Sequence, residues 1–292
     1  MALLLDMFSY TFMVRAVIVG LLVSLCASLL GVSLVLKRYA MIGTALGNVG
    51  FASMVSFGAV NLSPLAIIIP AAILDLAPLT LSMPIVIAAA FLLLRVSESS
   101  KIKGDSAVAL ISSSSLAIGV IIVSQTTGLT LHVCSAMFGS ILVMTRTDLQ
   151  ISVVSSILVF VLFVLLYKQL FAVTYDESFA KATGVRIQIY KSLLAILTAV
   201  TVVLGMRIMG ALLISSLIIF PALSAMHLCK SFLSVVVTSA IVSVICFLIG
   251  ISLSFLYNLP TGASVVGVNL AVFLLFGGIA LLKTRIKPGE KI

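Results

Sequence analysis

Polar positions along this chain come at intervals, not in alternation. Unbroken apolar runs, such as "ISVVSSILVFVLFVLLY" at 151–167, are separated by short stretches that hold charge, glycine or proline. The strict two-residue alternation of a membrane β-barrel strand is missing from them. Runs of this kind cross a hydrocarbon layer of about 30 Å as helices of roughly twenty residues. The pattern predicts nine crossings, near 12–36, 41–61, 79–95, 106–126, 149–171, 189–206, 209–227, 231–256 and 263–282, within a range of eight to ten. Two further apolar pieces, 62–78 and 131–144, are too short or too broken by proline for full spans. They read as re-entrant or interfacial.

Composition sharpens this picture. Of 292 residues, 62% are hydrophobic and only 9% charged, where a soluble domain carries about a quarter charged residues. The mean hydropathy is +1.39. The fold class is therefore all-α, a polytopic transmembrane helical bundle, because only helices and closed barrels satisfy every backbone group in lipid. The whole chain, 1–292, reads as a single transmembrane domain. The start, "MALLLDMFSYTFMVR", has no basic n-region and no small-residue cleavage site, so no removable signal peptide is expected.

The net charge of +9 is dispersed singly and in pairs between apolar runs. It fits an orientation rule and predicts no nucleic-acid partner. With the N-terminus outside and the C-terminus inside, inner loops hold all the Lys and Arg except Arg15, Arg146 and Arg207. That is fourteen of seventeen, the bias expected of a membrane protein in that orientation. Little hydrophilic chain remains, and no G-x-x-x-x-G-K-[ST] phosphate loop occurs. Any uphill movement would draw on an ion gradient or on another polypeptide. No Asp or Glu sits securely in mid-span, which weakens the gradient option.

Residues with chemical potential are few. Cys26, Cys134, Cys229 and Cys246 are far apart and read as small buried hydrophobes. His132 and His227 are single, and the methionines are scattered. The longest polar segment, "VTYDESFAKATGVRIQIYK" (173–191), orders Asp176 and Glu177, then Lys181, then Gly184. That is the order of a short helix with acids in its first turn, a base in its last and glycine closing it. Its Phe179 and Ala180 suit docking onto a partner, and equally a connector lying in the headgroup layer. Small residues cluster at 41–51, 210–225 and 259–270, where close helix contact and loosened backbone favour a pathway. Ser215, Ser216, Pro221, Thr261, Gly262 and Asn269 are its candidates.

Four of these segments, "LLGVSLVLKRYAMIG" (29–43), "DESFAKATGV" (176–185), "MGALLISSLIIFPALSA" (209–225) and "PTGASVVGVNL" (260–270), together resemble the permease subunits of ABC importers for zinc, manganese or iron(II). The resemblance implies a vitamin-B12-importer-like permease, paired with a second copy or a paralogue. It implies ATP-binding ABC subunits on the inside, which hold ATP and Mg, and an extracellular or periplasmic metal-binding protein. This chain itself would bind no cofactor and catalyse no bond chemistry. Asp176, Glu177, Phe179, Ala180 and Lys181 would couple to the ATPase, in a helix near 175–187. Ser215, Ser216, Pro221, Thr261 and Gly262 would line the path.

One stretch departs from that family. Where this chain reads Thr44, Gly47 and Asn48, the family usually has Asp, Ser and His. Asp and His four residues apart share a helix face and suit a divalent metal. Thr44 and Asn48 keep the spacing and lose the anion and the imidazole. Three readings follow: a paralogous partner keeps the ligands, which is the preferred one; the substrate differs or is held more weakly; or this position only shapes the path. The metal residues are therefore unassigned. The alternatives to an ATP-driven permease are an ion-coupled carrier or channel, and a supporting subunit without ligands. A second departure is "IIIPAAILDLAPL", an extra apolar link carrying Asp75, read as a loop insertion.

Overall fold

The computed structural model describes residues 11–37, 39–59, 71–98, 104–125, 146–257 and 259–286. These form eleven α-helices and, among the described residues, no strand. In chain order they are α1 (Thr11–Leu36), α2 (Ile42–Ala59), α3 (Ala71–Glu98), α4 (Gly104–Gln125), α5 (Arg146–Leu165), α6 (Tyr167–Tyr175), α7 (Glu177–Ala182), α8 (Ile187–Met209), α9 (Ala211–Leu228), α10 (Phe232–Tyr257) and α11 (Thr261–Ile286). Every crossing expected from the apolar runs coincides with a helix. Six helices, α1, α4, α8, α9, α10 and α11, are long and apolar enough to span a membrane outright. The pair α5 and α6 makes a seventh if its bend is allowed, and apolar segments of α2 and α3 are shorter. The protein is a multi-pass helical membrane protein.

Two elements differ from the sequence reading. Of the piece 62–78, expected as a separate re-entrant or interfacial segment, residues 71–78 belong to α3, and 62–70 lie outside the described residues. Prolines at 78 and 84 do not stop this helix; membrane helices tolerate proline where surrounding groups can take up the freed carbonyl. The span expected at 149–171 ends at Leu165, and α6 leaves it at 68°. There the chain turns polar at Lys168 and Gln169, while Tyr167 and Phe171 pack on Phe232 with ring centroids 5.5 and 4.9 Å apart. Aromatic rings of this kind settle at a membrane's water boundary. The piece 131–144, with His132 and Cys134, lies outside the described residues.

Helix α1 is the centre of the bundle. Its apolar stretch is 78% buried, against 11% for α11 at the periphery. It packs on α5, α8, α9 and α10. Two serines of α10 stitch it in place: Ser243 Oγ donates to the Ser24 carbonyl at 2.9 Å and Ser239 Oγ to that of Ser28 at 3.4 Å. All four serines are fully buried. Gly31 meets the backbone of α9, where a Cβ would collide with the carbonyl oxygen of Ile218. Small residues permitting such approach are the usual glue between membrane helices, where lipid removes the hydrophobic drive. Cys26 and Cys246 are buried and Cys229 half-buried, all three as free thiols, in line with their reading as small hydrophobes.

Candidate substrate path and surface helix

The stretch "MIGTALGNVGF" opens α2, and its glycines explain its course. Gly43, Gly47 and Gly50 recur at helical spacing and form one stripe. A Cβ on Gly43 would lie 2.8 Å from Ile218 Cδ1, one on Gly47 3.5 Å from Ala211 Cβ, and one on Gly50 2.7 Å from Met206 Cε. The stripe therefore seats α2 against α9 and the last turn of α8. Thr44 and Asn48 sit half-buried one position further round. Asn48 Nδ2 donates to Ser112 Oγ of α4 at 2.8 Å.

On α9, Ser215 falls between Ala211 and Ile218, the residues that meet Gly47 and Gly43, so it lies on the face turned to α2, while Asn48 is turned to α4. Ser215 Oγ donates back to the carbonyls of Ala211 (3.1 Å) and Leu212 (3.0 Å). Ser216 is buried and donates to the Leu213 carbonyl at 2.8 Å. Pro221, buried within α9, leaves the Leu217 carbonyl without its helical donor. Thr261 and Gly262 stand apart from the seam where α2 meets α9, at the start of α11. Thr261 borders a small gap of about 10 Å³ with Ala16, Met209, Leu213 and Phe247. Asn269 is buried, with Nδ2 bonded to the Val265 carbonyl and Oδ1 unpaired. Among the described residues no three His, Cys, Asp or Glu side chains gather as a metal site. His227 is exposed and rests its ring 5.4 Å from that of Phe273.

The polar segment 173–191 folds as its residue order predicts. Asp176 is the N-cap of α7, accepting from the backbone N–H of Ser178 (2.9 Å) and Phe179 (3.0 Å). The six-residue helix closes on Gly184, whose φ of +81° suits a residue without Cβ. Gly184 N–H reaches the Lys181 carbonyl and Val185 N–H that of Ala180. Ala180 is buried, whereas Phe179 is 62% exposed and Lys181 points outward. Glu177 is paired twice: its Oε1 lies 3.0 Å from Lys37 Nζ at the end of α1, and its Oε2 2.8 Å from Lys191 Nζ in α8. Partial burial pushes the Glu177 carboxyl up. Hydrogen bonds and charge from Lys191 and Lys37 outweigh that and hold it below its ordinary value.

Sequence reasoning missed Ser112, Lys37 and Lys191 as partners. The serine run at 112–115, in an otherwise apolar helix, was the one local sign of a polar contact.

A helical membrane bundle with glycine-seated helices and a small capped helix at its surface is compatible with a transporter's membrane subunit. The chain belongs to the ABC 3 transport family, which matches residues 9–279. It is 26% identical over 270 residues to the manganese transport system membrane protein MntC of Halalkalibacterium halodurans, covering 92% of this chain and 88% of that one. It is 27% identical over 261 residues to the high-affinity zinc uptake system membrane protein ZnuB of Haemophilus influenzae, covering 89% and 94%. In fold it is similar to a chain of PsaBC from Streptococcus pneumoniae, solved in complex with Fab. The TM-score is 0.78 at 24% identity over 94% of both chains.

Proposed function

We propose that this chain forms the translocation path of an ATP-driven importer for a divalent transition metal, zinc, manganese or iron(II), in the cell membrane. Membership of a transport family and relatives named for manganese and zinc support that cargo class. The observation that carries the mechanism is α7. It is capped at both ends, anchored by buried Ala180 and presents Phe179 to solvent. In this reading α7 docks on an ATP-binding partner that holds ATP and Mg, with the N-terminus outside and the C-terminus inside. A metal-binding protein delivers the ion from the outer side. The whole chain acts as a single membrane domain, and the bond chemistry is the partner's.

A specific observation favours pairing with a paralogous permease over a self-sufficient homodimer. At the seam of Thr44 and Asn48 the side chains are neutral, and the Asn48 amide is engaged by Ser112. A hydroxyl and an amide hold a divalent ion weakly beside a carboxylate and an imidazole. The paralogue would supply that stronger set, and a supporting role for this chain is the limiting form of the same idea.

The test is multi-element analysis of cells lacking the gene, against the same cells with it restored, under metal limitation. A selective fall in one of the three metals, reversed by restoration, supports the reading and names the cargo. Unchanged metals overturn it. Metal transport by the purified chain with its ATPase and no second permease type would overturn the heterodimer.

A further inference from the structure

We propose that Glu177 is a positioning residue that clamps the surface helix α7 to α1 and α8 together, so that a push on α7 reaches the start of α2. The proposal rests on the reading of α7 as the ATPase docking helix, and adds to it the route by which its motion enters the bundle.

The geometry is specific. One carboxylate holds two ammonium groups, at 3.0 and 2.8 Å, each on its own oxygen. The side chains of Lys37 and Lys191 are 6% and 13% exposed, although Glu177 itself is 47% exposed. Two nearly buried cations thus converge on one partly exposed anion, and removing it leaves both without that charge. Taking an anion away from two nearly buried cations costs more than losing a pair of fully exposed charges. The carboxyl is held in its charged form by the same two lysines.

The helix carrying Glu177 has little else to grip with. It is six residues long, packs on α6 and α8, and buries Ala180 alone of its members. An isolated helix of that length has no stability of its own. Its capping bonds fix its shape, and its two ion pairs fix its position against α1 and α8.

From Lys37 the path to the candidate seam is short. Tyr39 N–H donates to the Leu34 carbonyl at 2.8 Å, and Ile42 N–H to the Tyr39 carbonyl at 3.0 Å. The turn between α1 and α2 is therefore tied at both ends. Ile42 begins α2, and Thr44 and Asn48 follow within two turns. Beneath the clamp Lys37, Lys191, Tyr39, Ile42, Ala90 and Thr198 border a small gap of about 20 Å³.

The clamp is tested on the full chain in lipid nanodiscs, with the four cysteines replaced by serine and spin labels at Met41→Cys and Lys181→Cys, both exposed sites. The distance between the labels is read in the presence of the ATPase partner, with and without nucleotide. The expected result is a narrow distribution in the parent, a broad one in Glu177→Gln, and a narrow one again in the reversed triple Lys37→Glu, Glu177→Lys, Lys191→Glu. In liposomes, metal ions moved per ATP hydrolysed are expected to fall by about fivefold or more in Glu177→Gln, the lower end of ordinary coupling between sites. The triple restores the ratio. A Glu177→Gln distribution that matches the parent overturns the clamp, as does an unchanged ratio. If the parent moves no metal with its ATPase, the transport reading fails, and the label distances still decide the clamp.

Discussion

The side-chain amide of Asn48 donates to the hydroxyl of Ser112 at 2.8 Å, joining α2 to α4 across 64 residues of chain. A polar bond between membrane helices contributes on average about 0.6 kcal/mol. Asn48→Ala is thus expected to cost little stability, read as a small fall in thermal midpoint in detergent. The informative change is the double variant Thr44→Asp with Asn48→His, which places a carboxylate and an imidazole four residues apart on α2. It is expected to raise zinc affinity in competition against a chromophoric chelator. No gain would place the cargo away from this seam.

Gly31 and Gly267 make a matched pair. A Cβ at Gly31 meets the Ile218 carbonyl oxygen, whereas nothing lies within 4 Å of one at Gly267. Gly31→Ala should destabilise by about 1–3 kcal/mol, the usual cost of overpacking. Gly267→Ala should be neutral or stabilising, by up to about 1 kcal/mol from helix propensity. Thermal unfolding of the two variants in the same detergent checks both.

Asp176 holds two backbone N–H groups of α7. Asp176→Ala should cost about 1 kcal/mol of local helix stability, and Asp176→Ser much less. Backbone amide exchange at Ser178 and Phe179 should quicken in the alanine variant and stay slow in the serine one. Co-purification with the ATPase partner should weaken in the same order.

The pH dependence of the clamp has a defined sign. The Glu177 carboxyl is held below its ordinary value of 4.5, so the stability it contributes is present above that pH. It is lost as pH falls through the lowered folded value. Label distances between positions 41 and 181 should be constant from neutral pH down to about 4.5, then broaden. In Glu177→Gln they should be broad throughout.

What the sequence made legible was local. Helices showed because a run of apolar residues long enough to cross lipid leaves the backbone no other form. The surface helix showed because its N-cap Asp176 and the glycine that closes it, Gly184, lie within nine residues of each other. The break at Leu166 and the run of α3 through prolines 78 and 84 did not show. The first depends on Tyr167 and Phe171 finding Phe232, some sixty residues on, and the second on neighbours tolerating proline. The partners of Asn48 and Glu177 were hidden for the same reason. A serine 64 residues away and a lysine 140 residues away become neighbours only through the packing of the bundle. The candidate seam was legible as a pattern of small residues, and its separation from Thr261 and Gly262 was not.

At Gly31 the backbone of α1 rests directly on the backbone of α9, with no side chain between them to change rotamer. On its other flank, Ser239 and Ser243 fasten α1 to α10. Contacts of this sort do not yield by degrees, because a packed interface either holds or jumps. A force applied at Lys37 therefore cannot be absorbed along α1 as a series of small adjustments. In the proposed clamp it would move the central helix together with α9 and α10 as one stiff lever.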